Sequence, residues 1–261
     1  MDVRKVLGWT TPYESFNREE RNLAAIFFHV LNLPGNLDAF LAATGCAPVE
    51  SGFSPAVFFE YAYLRDLWSG LGDNDAKRAV IESGLQLGSA LELSSMTVGE
   101  LNRLFGAVPK PSEKYVQSPG NWSVARFSPA IADDDDFRAT CLFKWCFNAK
   151  PDLVLQTGTE RVVCIEAKLE SGEGRYPSAS LEKEVFRHRG LASVGQTEVQ
   201  RHMFEWLLGY ETEFILLANR RTPAETPHRF VSWRQAFDAV ECTGIPEFMR
   251  RTIAATAGAC G

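Results

Sequence analysis

The sequence predicts an α/β fold: a central mixed sheet flanked by helices, with a helical insertion after the first helix. Three observations carry this. An amphipathic helix occupies residues 17–32, helical periodicity continues from 37 to 104, and β-rich runs appear only after residue 150. The expected division is therefore a first core helix in 1–36, a helical insertion or subdomain in 37–120, and a core with a C-terminal helix in 121–261.

In the first helix, Leu23, Ile26, Phe27, Val30 and Leu31 recur at helical spacing, and Leu33-Pro34-Gly35 ends it. Glu19 and Glu20 stand one turn before Leu23, either as partners of the helix dipole or as acids overhanging a site on that face. Candidate helices then run from Val57 to Trp68, Ala76 to Leu87 and Val98 to Phe105, with glycine joints between them. Pro109, Pro111 and Pro119 mark a linker. Leu153-Val154-Leu155 and Val162-Val163-Cys164-Ile165 are short strands, and the intervening residues 156–161 have hairpin-turn chemistry. Val199, Met203, Trp206 and Leu207 share one helix face, residues 214–218 form another buried strand, and residues 233–240 form a last helix. The Ala/Gly-rich end after Ile253 is expected to fray.

Composition narrows the function. The 261 residues are 45% hydrophobic and 23% charged, which is globular rather than disordered. No apolar run reaches the roughly 20 residues of a membrane span. Six cysteines without a C-x-x-C pair, and a start unlike a signal peptide, point to a reduced, cytoplasmic chain. A net charge of −6 provides no global basic footprint, so nucleic-acid binding must rest on local patches or a metal. Histidine pairs for zinc catalysis, the G-x-S-x-G elbow, the P-loop and the dinucleotide glycine fingerprint are absent from the sequence.

The chemistry lies in Pro151-Asp152 and in Glu166-Ala167-Lys168 at the end of the second run. Glu166 and Lys168 are two residues apart on a strand, so both leave one face together with Cys164, while Ile165, Ala167 and Leu169 point the other way. The hairpin brings Asp152 to the same sheet end. Two carboxylates and the main-chain carbonyl of Ala167 are hard oxygen ligands suited to Mg²⁺, with Mn²⁺ as a substitute. Such an ion activates water and stabilises phosphate charge, and Lys168 can orient the water or offset charge. An E-x-K triplet alone is common by chance; the preceding apolar strand and the upstream Pro-Asp are what raise it above a surface ion pair. Removing a charge at Asp152 or Lys168 is expected to cost little stability.

With both halves of that motif intact, the sequence resembles the PD-(D/E)XK nuclease superfamily, the restriction-endonuclease-like fold. The resemblance covers mainly residues 137–219 and the first helix. It implies an α-β-β-β-α-β core whose first strand would lie in 123–127 or 140–147. It also implies a glutamine on the helix after the motif strand, here Gln200 or Gln196, and a glutamate on the first helix, Glu20 ahead of Glu19. Phe204 stands where many members carry Tyr, so no hydroxyl acts there.

The long polar connection from 170 to 195 carries Lys183, Arg187, His188 and Arg189, candidate phosphate contacts that Arg220-Arg221 would extend. Glu182 and Glu184 alternate with them as on a solvated helix face. The acidic run from Asp133 to Asp136 lacks calcium-loop spacing and is expected to be a solvated turn. The expected activity is a Mg²⁺-dependent nuclease of restriction, defence or repair type, with DNA ranked ahead of RNA. The alternatives are an RNA-directed nuclease and a non-catalytic binding or scaffold module, with a homodimer or protein partner using the helical insertion.

Overall fold

The computed structural model describes residues 19–85, 93–106, 112–169, 171–219 and 228–258. Arg220-Arg221, Pro109 and Pro111 lie outside them. In chain order the elements are α1 (Glu20–Leu31), α2 (Asn36–Thr44), β1 (Ala56–Phe59), α3 (Tyr63–Gly70), α4 (Asn74–Leu85), α5 (Val98–Phe105), α6 (Val124–Phe127) and α7 (Asp134–Cys146). The hairpin strands β2 (Leu153–Gly158) and β3 (Arg161–Lys168) follow, then β4 (Arg175–Tyr176), α8 (Ser180–His188), β5 (Val194–Gly195) and α9 (Gln196–Arg201), which continues as a π-helical turn His202–Leu207. The chain closes with β6 (Glu211–Ala218), β7 (Arg229–Val231), α10 (Trp233–Asp238) and α11 (Glu247–Ala257).

Contacts divide the chain into two compact units. The first unit is Met1–Tyr61, Pro151–Gly172 and Thr212–Gly261; the second is Ala62–Lys150 and Glu173–Glu211.

The mixed sheet β1-β2-β3-β6-β7 organises the first unit, with β2 antiparallel to both β1 and β3, and β7 parallel to β6. Strand alternation sends Leu153 and Leu155 of β2, Val163, Ile165 and Ala167 of β3, and Ile215 and Leu217 of β6 into one apolar core. The buried stripe of α1, Leu23, Ile26, Phe27, Val30 and Leu31, belongs to that core, as do Trp233 and Phe237 of α10. Phe27 meets Trp233 and Phe237 edge-on at 6.1 and 5.2 Å between centroids. After α1, Gly35 takes φ 81°, a left-handed turn that starts α2 without a side-chain clash.

Three expectations are corrected here. The first strand of the sheet lies in neither 123–127 nor 140–147, which form α6 and part of α7; it is β1, inside the stretch expected to be helical insertion. An apolar run such as Ala-Val-Phe-Phe has no period of its own, and its pairing partner, Leu153–Gln156, lies far along the chain. The acidic run is not a turn: Asp133 caps α7, accepting the N–H groups of Asp135 and Asp136 at 2.9 Å, and the other acids complete the first turn. The end after Ile253 remains helical to Ala257, with Ile253 and Ala257 buried.

The second unit is mainly helical around an aromatic core, where Phe105 stacks on Trp122 at 4.2 Å and Trp145 lies 5.5 Å from Phe186. In α4, a Cβ added at Gly84 would lie 2.3 Å from the Phe143 ring. Gly84→Ala gains about 1 kcal/mol of helix propensity but overpacks a buried ring at a cost of about 1–3 kcal/mol. We expect a net loss of about 1 kcal/mol in urea unfolding; a gain would show that the wall gives way freely.

No single helix among the described residues is long and apolar enough to cross a membrane.

Candidate active site

The hairpin register sets the site. Leu153 faces Ile165 and Val154 faces Cys164, so Asp152, one residue before β2, stands opposite Glu166. Directly opposed residues of an antiparallel pair share a sheet face. The Asp152 carboxylate reaches across and accepts the Ala167 N–H at Oδ2, 2.8 Å away. On the other side, the Glu60 and Tyr61 N–H groups donate to the carbonyls of Asp152 and Pro151, both at 2.9 Å, so the Pro-Asp step is held between two strands.

Lys168 closes the cluster. Its Nζ lies 2.5 Å from Glu166 Oε1 and 3.8 Å from Glu20 Oε2. Glu20 Oε1 also accepts the Leu169 N–H at 3.2 Å and the Ser171 hydroxyl. The Trp233 indole donates to the Lys168 carbonyl at 2.8 Å. The first residues of α1 and α10 thus pin the exit of β3 from both sides.

Burial decides the electrostatics. The Glu166 side chain is 2% exposed and that of Lys168 12%. Burial pushes the Asp152 carboxyl above the ordinary aspartate range. The Ala167 N–H and Lys168 pull it back, while Glu20 and Glu60 push it further up. Burial alone would lower the Lys168 ammonium, but Glu166, Asp152 and Glu20 outweigh it and hold its pKa above that of a free lysine. Lys168 is therefore a fixed cation at neutral pH. It can donate hydrogen bonds and neutralise charge but cannot serve as a general base.

Of the residues expected in the site, the structure gathers Asp152, Glu166, Ala167, Lys168 and Glu20. Ala167 enters through its N–H. Glu19 stands at the cap of α1 and makes no side-chain capping bond. Gln196 and Gln200 belong to the second unit: Gln200 is fully buried on α9, and the Gln196 N–H donates to Gly174 at 2.8 Å. Lys183 and Arg187 are exposed on α8. Arg189 has a different job from phosphate contact. It donates to Ser128 Oγ, the carbonyls of Ser128 and Ile131, and Asp134, and lies 4.1 Å over the Phe137 ring, so its planar fork is spent on tying a loop.

Glu60 is the member the sequence did not reveal. It continues β1 by one residue, opposite Asp152, with φ 53°, and it is the one non-glycine with positive φ among the described residues. That conformation costs about 1–2 kcal/mol, and such strain tends to sit at functional positions. Its carboxylate pairs with Arg21 at 2.6 Å. Only recognition of β1 as a strand would have found it.

Among the described residues, no three His, Cys, Asp or Glu side chains gather as a metal-binding group. The acids are turned to other partners: Glu166 to Lys168, Asp152 to Ala167, and Glu60 to Arg21. Comparison with protein-family models, curated proteins and solved structures found no match to this chain. The functional reading therefore rests on the site's own geometry.

Proposed function

We propose that the chain is a Mg²⁺-dependent nuclease that hydrolyses phosphodiester bonds, with DNA as the favoured substrate, on a restriction-endonuclease-like fold. The observation that carries this is the placement of Asp152 opposite Glu166, with the Lys168 ammonium joining Glu166 to Glu20 at one sheet end. The element order α1-β1-β2-β3-α9-β6 supports the fold reading.

The donor set fits the ion. Asp152 and Glu166 offer carboxylate oxygens rather than sulfur or imidazole, which is the preference of Mg²⁺. The Asp152 carboxyl is raised by burial first, and Glu20 and Glu60 add to that. Asp152 and Glu166 would hold the ion, with the Ala167 carbonyl as a further ligand. A bound Mg²⁺ would neutralise phosphate charge and acidify water.

The chain's own groups do the rest. Hydrolysis joins a water oxygen to phosphorus and breaks the bond to the leaving sugar oxygen, which receives the proton. Lys168 spends one donor on Glu166; an ammonium has three, so two can orient the water or bind a non-bridging phosphate oxygen. Glu20 and Trp233 keep that residue in place through the exit of β3.

The closed Glu166–Lys168 pair is also what a non-catalytic binding or scaffold module would carry. End-labelled DNA and RNA, each incubated with Mg²⁺, Mn²⁺ or EDTA, separate the readings. We expect metal-dependent shortening of DNA. Shortening of RNA alone would reassign the substrate, and retention without cleavage in every lane would favour the binding module.

A further inference from the structure

We infer that Arg21 is a phosphate-contacting residue for DNA, held by Glu60 when no substrate is present. The inference rests on the nuclease reading and adds to it the group that receives the substrate backbone.

Charge balance raises the question. At this sheet end the described acids Glu20, Glu60, Asp152 and Glu166 outnumber the described cations Lys168 and Arg21 that pair with them, so a polyanion approaches a site that is itself acidic. A bound divalent ion offsets part of this. A phosphate flanking the scissile bond still needs a cation of the protein's own. Lys168 is 12% exposed, and its remaining donors serve the reacting water or phosphate. Among the described residues of the same unit the other arginines have partners outside this cluster: Arg161 the Pro48 carbonyl, Arg229 Glu213 and Cys46, Arg234 Asp238, and Arg250 and Arg251 Glu247.

Arg21 is placed differently. It follows Glu20 in the first turn of α1, and its side chain is 67% exposed. Its Nε meets Glu60 Oε1 at 2.6 Å, and its two terminal nitrogens have no partner among the described residues. A guanidinium with its fork open to solvent is suited to bidentate contact with phosphate. An ion pair with one partner this exposed is weak and opens readily. Glu60, strained at φ 53° beside Asp152, thus acts as the resting counter-ion and competes with phosphate for Arg21.

Two substitutions at one ion pair should therefore act in opposite directions. Fluorescence anisotropy of a labelled DNA duplex, with Ca²⁺ or EDTA across a KCl series, reads both. We expect Arg21→Gln to weaken binding and to reduce the slope of log affinity against log salt by about 0.9, one phosphate contact. Glu60→Gln should tighten binding at every salt concentration. Arg251→Gln removes an equally exposed charge elsewhere in the unit and should leave the slope unchanged. An unchanged slope for Arg21→Gln, an equal change for Arg251→Gln, or weaker binding by Glu60→Gln would overturn the inference. If the wild type cleaves DNA in Mg²⁺ while any of these holds, the inference alone fails. If the wild type neither binds nor cleaves DNA, the nuclease reading falls with it.

Discussion

Replacing Asp152 with Asn should produce a protein that is more stable at neutral pH and at least about 100-fold slower at cleavage, the scale on which loss of one charge-stabilising group is felt. Asparagine keeps an oxygen for the Ala167 N–H and removes the charge. The sign of the stability change follows from the carboxyl's raised pKa. A group raised on folding stabilises the protein fully below its unfolded pKa, and that contribution is lost as the pH rises through the folded pKa. At neutral pH the ionised Asp152 is thus a net cost. It amounts to about 1.4 kcal/mol for each unit by which folding raises the pKa. Urea unfolding of both proteins from acid to neutral pH should show the curves diverging as the pH rises. A variant less stable than wild type at neutral pH would mean that the attraction of Lys168 outweighs burial.

Lys168→Ala should have the opposite effect on stability, where the sequence alone led us to expect a small cost. Its partner Glu166 is 2% exposed, and without the ammonium its buried charge loses that cation or takes up a proton. Breaking a buried pair from one side costs about 3 kcal/mol. Adding Glu166→Gln to that variant should recover part of the loss, because the uncompensated charge disappears; a double-mutant cycle measures the coupling. The Lys168 pKa is raised, so its contribution is complete below the unfolded lysine pKa and is lost as the pH rises through the folded value. The loss in Lys168→Ala should therefore be full at neutral pH. A loss under about 0.5 kcal/mol would assign the pair to the class of exposed ion pairs.

The hairpin and its charges were legible because their signals are local. Alternation, a turn at residues 158–161 and the E-x-K spacing lie within one short segment, and the register found is the one the pattern requires. Helix α1 was legible for the same reason. What escaped depends on distant chain. The apolar run of β1 becomes a strand only through pairing with β2, and Glu60 joins the site only because β1 ends opposite Asp152. Nothing in the sequence marks its left-handed backbone. Arg189 looked like any loop arginine, since its partners Ser128, Ile131 and Asp134 lie over fifty residues away. Asp133 carried a helix-cap signal that the density of neighbouring acids obscured.

Digestion of supercoiled plasmid by the wild-type chain with Mg²⁺ or with EDTA, beside Asp152→Asn purified identically, decides whether this sheet end is a metal-dependent nuclease site. Nicked or linear product is expected only for wild type with Mg²⁺. Intact plasmid in that lane, or equal cleavage by Asp152→Asn, would contradict it.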